Sequence, residues 1–173
     1  MSVGRSTAYW LGNPYSDPEA APLPTAPLRD LPAGAAARFR ALRTGLLALD
    51  GVGETVRFMG APWRWAWEYG LGNRKLCWLH VVSGAVSTTF TLSEAEVHRF
   101  GRVPRLASGV TRAVAEGQRT GPLKWCWLEL SDQRLVEAFL RVARLKAEWI
   151  AERPAPHRAP RLRGRGGTGG DGE

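Results

Sequence analysis

The stretch from Glu54 to Leu92 constrains the fold most: its apolar and polar side chains alternate with a period of two, and they are largely β-branched or aromatic. A strand turns successive side chains to opposite faces, so a run of this kind suits a sheet and not the 3.6-residue repeat of an amphipathic helix. The pattern predicts strands at 54–59, 63–69, 75–82 and 85–92. Turn-forming residues separate them at Gly60-Ala61-Pro62, at Gly70-Leu71-Gly72-Asn73 and at Ser83-Gly84, which reads as an antiparallel meander. After Gly121-Pro122 a fifth strand is expected over 124–130.

Helical spacing flanks this block on both sides. Asp30 can cap a helix running to about Asp50, with Phe39, Leu42, Leu46 and Leu49 on one buried stripe, and Gly51 and Gly53 stop it. Ser93 and Glu96 form a capping box that starts a short helix ending near Gly101. A weaker helix is expected over 105–116, with Leu106, Val110, Ala113 and Val114 as its apolar side. Ser131 is the expected cap of the last helix, on which Leu135, Phe139, Val142, Leu145 and Trp149 form the stripe that covers the sheet. The expectation is one α+β domain, a mostly antiparallel sheet of about five strands with helices mainly on one face.

At 173 residues the chain has the length of one domain. Its first thirty residues carry Pro14, Pro18, Pro22, Pro24, Pro27 and a sixth proline follows at Pro32, a density that reads as a flexible N-terminal arm over 1–30. Within that arm Ala8-Tyr9-Trp10-Leu11 is an apolar patch able to dock on the domain, which occupies 31–152. Residues 153–173, rich in Arg, Gly and Pro, read as a disordered tail. The absence of an apolar run of membrane length and of a leader pattern leads to the expectation of a cytoplasmic protein that does not engage a membrane. Two cysteines, Cys77 and Cys126, offer neither a disulfide framework nor a metal set, and are expected as buried thiols. The formal charge of +8 and the Arg161-Leu-Arg163-Gly-Arg165 segment raise nucleic acid as a partner, although elsewhere the basic residues are spread without a run.

Six of the eight tryptophans fall on three of the expected strands. Alternation puts Trp63, Trp65, Trp67 and Tyr69 on one face of their strand, Trp78 and His80 on one face of the next, and Trp125, Trp127 and Glu129 on one face of the fifth. The segments beginning at Lys75 and Lys124 repeat the order Lys-x-Cys-Trp-Leu, each opposing an aliphatic and thiol face to an aromatic one. Two uses of an aromatic face remain open: the indoles cover the sheet as packing, or they wall a concave pocket in which His80, Glu129, Arg64 or Glu68 orients a planar or cationic ligand. The leading functional expectation is therefore a module that binds a small molecule or a protein through this face.

Signatures of common chemistry are absent from the chain, including a phosphate-binding Walker loop, H-E-x-x-H, G-x-S-x-G and paired C-x-x-C. No cofactor or metal is expected on this basis. Cys77 and His80 stand three apart on a strand and point to opposite faces, which excludes a local thiolate dyad. An acid/base pair of His80 with Glu129 across the sheet is the remaining enzymatic option, beside a hydrogen-bonded structural histidine.

The run Trp65-Ala-Trp67-Glu-Tyr69, then Arg74-Lys75-Leu-Cys-Trp78-Leu79-His80, then Gly84 to Leu92 leading into the capped helix, resembles the DUF3788 family of uncharacterised bacterial proteins. The closing segment from Trp127 through Leu135-Val136 to Leu145-Lys146 is similar to that family's final strand and last helix with its late lysine. The resemblance spans about residues 54–149 and implies the same order of elements. It departs at Val81-Val82, where a Pro-containing turn is expected after the histidine, and it supplies no catalytic residue to carry over.

Overall fold

The computed structural model describes residues 6–152. Among them the helices are α1 Thr7–Trp10, α2 Ala26–Asp30, α3 Ala33–Leu47, α4 Glu94–Phe100, α5 Ser108–Glu116 and α6 Gln133–Ala151. The strands are β1 Val52–Phe58, β2 Trp65–Leu71, β3 Arg74–Val82, β4 Ala85–Ser93, β5 Gln118–Thr120 and β6 Leu123–Glu129. They form one sheet in the order β1-β2-β3-β4-β6-β5, antiparallel throughout, so the fold is a single α+β domain.

Helices α3 and α6 cross one face of the sheet and enclose the core between Phe39, Leu42 and Leu46 on α3, Val136, Phe139 and Val142 on α6, and Cys77, Leu79, Val81, Phe90, Cys126 and Leu128 beneath them. Burial of this apolar set is the main force holding the two layers together. The capping box starts α4 as expected, with Ser93 Oγ accepting from the Glu96 amide and the Glu96 carboxylate accepting from the Ser93 amide.

Two helix starts differ from expectation. Asp30 ends α2 and binds Arg29 and the Tyr15 hydroxyl; the long helix begins after Pro32, which bars the backbone of Leu31 from helical geometry and leaves it extended. Asp132, one residue past Ser131, caps α6 by accepting from the Leu135 amide. The three-residue β5, between Gly117 and Gly121, is an addition to the five expected strands, and too short to carry a period.

The flexible arm expected over 1–30 is corrected for residues 6–30, which pack across the sheet. Trp10 is 1 % exposed and Asn13 is fully buried. Asn13 Nδ2 donates to the carbonyls of Trp63 and Trp65, Arg64 donates to those of Leu11 and Asn13, and the Ser83 amide donates to Gly12 O. Gly12 is needed there, because a Cβ on it would lie 2.2 Å from Ser83 Oγ. Proline density removed the usual backbone ladder, and individual hydrogen bonds, with donors both on this segment and on the connections of the sheet, replace it. The expected tail over 153–173, with His157 and the Arg-Gly segment, lies outside the described residues.

Candidate functional site

The single aromatic face expected from alternation is split in two. Hairpin pairing starts with Leu71 opposite Arg74 and Gly70 opposite Lys75, which would continue to Trp67 opposite Trp78. A bulge intervenes, and the next pairs are Tyr69 with Cys77, Glu68 with Trp78 and Trp67 with Leu79. Leu76 is the residue passed over, and one extra residue reverses the facing of every side chain beyond it. Trp65, Trp67 and Tyr69 thus turn to the helix-covered face, while Trp78, His80, Trp125, Trp127 and Glu129 share the other face with Glu68.

The β2 aromatics are structural. Trp67 packs edge-on against Phe39 and Tyr15, and its indole N–H donates to Pro24 O. Trp65 packs on Phe58 and donates to Asp17 O. Tyr69 donates to Glu54, which Arg43 clasps through two nitrogens; burial first, then the Glu54 contact, raises the phenol pKa far above its ordinary value. Trp63 lies outside the strand, in the β1–β2 connection before Arg64, whose φ of 62° breaks the extended backbone.

On the face opposite α3 and α6, the short helix α1 lies over the middle of the sheet. Tyr9 meets Trp127 edge-on and donates to Ser87 Oγ, and Trp10 meets the His80 ring with centroids 4.9 Å apart. His80 is 3 % exposed, and burial pushes its pKa down to about 3, so the imidazole is neutral. Its Nε2 is 2.9 Å from Thr89 Oγ1, and its Nδ1 is buried with no hydrogen-bond partner.

The expected His80–Glu129 pair is not formed. Both residues stand opposite Ser87, His80 on β3 and Glu129 on β6, so β4 separates them. Two strand spacings amount to roughly 10 Å, beyond any hydrogen bond. Cys77, on the other face, is fully buried, and desolvation lifts its thiol to about 12.

What the structure offers instead is two cavities on either side of the stacked pair Trp78 and Trp125, whose ring centroids are 5.3 Å apart, one on this face and one at the edge of the sheet reaching α6. The first, of about 340 Å³, is walled by Met59, Trp63 and Trp125, with His80, Thr89 and the β5 residues Gln118 and Thr120 completing it. The second, of about 700 Å³, lies toward the β2–β3 turn and is lined by Arg74, Lys75, Trp78, Glu96, Trp125 and Lys146 among others. Beside it Glu68 accepts from Lys75 and from the Trp78 indole and faces Arg57; burial alone would raise its pKa, but these partners together hold it below the ordinary carboxylate value.

Of the expected site residues, Trp63, Trp78, His80 and Trp125 line these cavities; Trp127 and Glu129 line a separate groove with α5. Sequence reasoning missed Met59, Thr89, Arg74 and Lys146. Thr89 carried a signal, since it alternates with Phe90 on a strand whose apolar residues had to face the helices; Met59 carried none. No family model, curated protein or solved structure matches this chain. Among the described residues no helix is long and apolar enough to cross a membrane.

Proposed function

We propose that the protein is a small-molecule binding module whose site is the smaller cavity on the sheet face opposite α3 and α6. One observation carries this reading: a 340 Å³ space with indole and thioether walls is edged by the polar residues His80, Thr89, Gln118 and Thr120. That volume is within the range of ligand pockets, and apolar walls with a few polar groups are their usual chemistry. A ligand that hydrogen-bonds one of these groups gains affinity that a hydrocarbon of the same shape does not. A hydroxyl both donates and accepts, and so complements an amide or a hydroxyl of the wall. The ligand class is therefore a small planar molecule bearing one hydroxyl, such as a phenol. A protein partner is disfavoured, because Tyr9 and Trp10 already occupy the middle of the face. The alternative, nucleic-acid contact through the basic surface and the Arg-Gly tail, is less favoured, because the basic residues outside the tail are spread without a run.

Calorimetric titration with 2-naphthol and with naphthalene tests this. Saturable binding of the naphthol is expected, at least about tenfold tighter than the hydrocarbon, as one well-made hydrogen bond provides. Met59→Trp, which fills the cavity from its rim, should abolish it without lowering the melting temperature. No binding at millimolar concentration, or equal binding to the Met59→Trp variant, ends the proposal.

A further inference from the structure

The larger cavity carries more positive charge than the carboxylate on its wall offsets. Lys146 is 4 % exposed, and its ammonium is directed at three neutral acceptors: Leu76 O at 3.2 Å, Thr91 O and Thr91 Oγ1. Among the described residues no carboxylate is within ion-pairing distance of Lys146 or of Arg74. Glu96, the one acidic residue on the wall, accepts from the Ser93 amide in the α4 capping box and offsets the Lys146 charge only in part, from beyond contact. Three cations thus face the cavity against one carboxylate, with Lys75 already shared with Glu68. A buried charge without a counter-charge is destabilising, and an anion placed nearby relieves it.

The rest of the wall specifies the remainder of the ligand. Trp78 and Trp125 offer indole surface, and Leu71, Leu123 and Ile150 add aliphatic surface. We propose that this cavity binds an organic acid with a planar apolar body, its carboxylate on the Arg74 guanidinium within the field of Lys146, and its ring on the indoles. Arg74 supplies the direct contact: its planar fork matches a carboxylate, and no hydrogen bond or ion pair within the described residues engages it. Lys146 supplies charge at longer range, since its own donors are taken up by the backbone of β3 and β4.

The test is calorimetry on the full chain carrying Met59→Trp, which closes the smaller cavity to hydroxylated rings, with 1-naphthoate, with 1-naphthalenemethanol as the ring without the charge, and with acetate as the charge without the ring. Naphthoate should bind at least about tenfold tighter than either, and more weakly as salt is raised. Arg74→Gln should weaken naphthoate by about tenfold or more and leave the alcohol unchanged, with an unaltered melting curve. Lys146 is not the primary variant, because it also holds the sheet. Met59→Trp separates this site from the smaller cavity: naphthoate binding that survives it belongs to the larger one. The proposal is overturned by equal affinity for acid and alcohol, by an Arg74→Gln protein that binds naphthoate normally, by loss of naphthoate binding in Met59→Trp, or by no binding at all.

Discussion

Burial holds the His80 imidazole at a pKa of about 3 against an ordinary 6.5, so between those values the unfolded chain takes up a proton that the folded chain refuses. Stability from this group is therefore intact above the unfolded value and falls as pH drops from 6.5 toward 3, with a slope on the order of 1 kcal/mol per pH unit. Glu68, held below its ordinary 4.5, adds an acid-side loss that begins only near that lower value. Urea melts across pH 7 to about 5 should therefore show a slope in the native protein that is flattened in His80→Gln. Trp10→Ala removes the ring that lies on His80, and two effects follow. It should cost about 3–5 kcal/mol, as loss of a large buried aromatic does. It should also admit water to the imidazole, returning its pKa toward 6.5, which proton titration by NMR would read as a shift of the His80 midpoint upward. If the midpoint stays near its native value, Trp10 is not what keeps the ring dry.

For the strands and helices, the decisive feature is the β2–β3 bulge. Gly70 permits it, since a Cβ there would sit 2.9 Å from the Arg74 carbonyl, and Lys146 of α6 captures the Leu76 carbonyl at the passed-over residue. Gly70→Ala is expected to destabilise by about 1–3 kcal/mol in denaturant melts, because the obstructing atom belongs to the backbone and cannot swing aside. The bulge also explains what could be read from the sequence and what could not. Alternation located β2, β3, β4 and β6, and the Ser93–Glu96 box located α4, because each is encoded by neighbours along the chain. Whether Trp67 shares a face with Trp78 is decided by one extra residue in the ladder and by a lysine seventy positions later, and no local pattern records either. Lys146 was legible only as a late lysine on α6; its burial inside the apolar stripe required the sheet beneath it.

Across the whole molecule, the segment before α3 is part of the domain. Its proline content argued for flexibility, yet its contacts reach far along the chain: Tyr9 to Ser87 spans 78 positions and Asn13 to the Trp65 carbonyl spans 52. Such partners leave no trace in a window of neighbouring residues, so the arm's docking could be read only as an apolar patch at Ala8–Leu11. Removing residues 1–17 should lower stability by more than Trp10→Ala alone. Hydrogen exchange should then find the Ser83 amide, which donates to Gly12 O, exposed, while the amides between β3 and β4 keep their protection.

During synthesis, Tyr9 and Trp10 leave the ribosome long before the strands that receive them. Their seat on Ser87, His80 and Trp127 exists only once β6 has emerged and paired with β4. This early part of the domain is thus among the last to settle, and the nascent chain carries an unhoused indole until β6 has emerged.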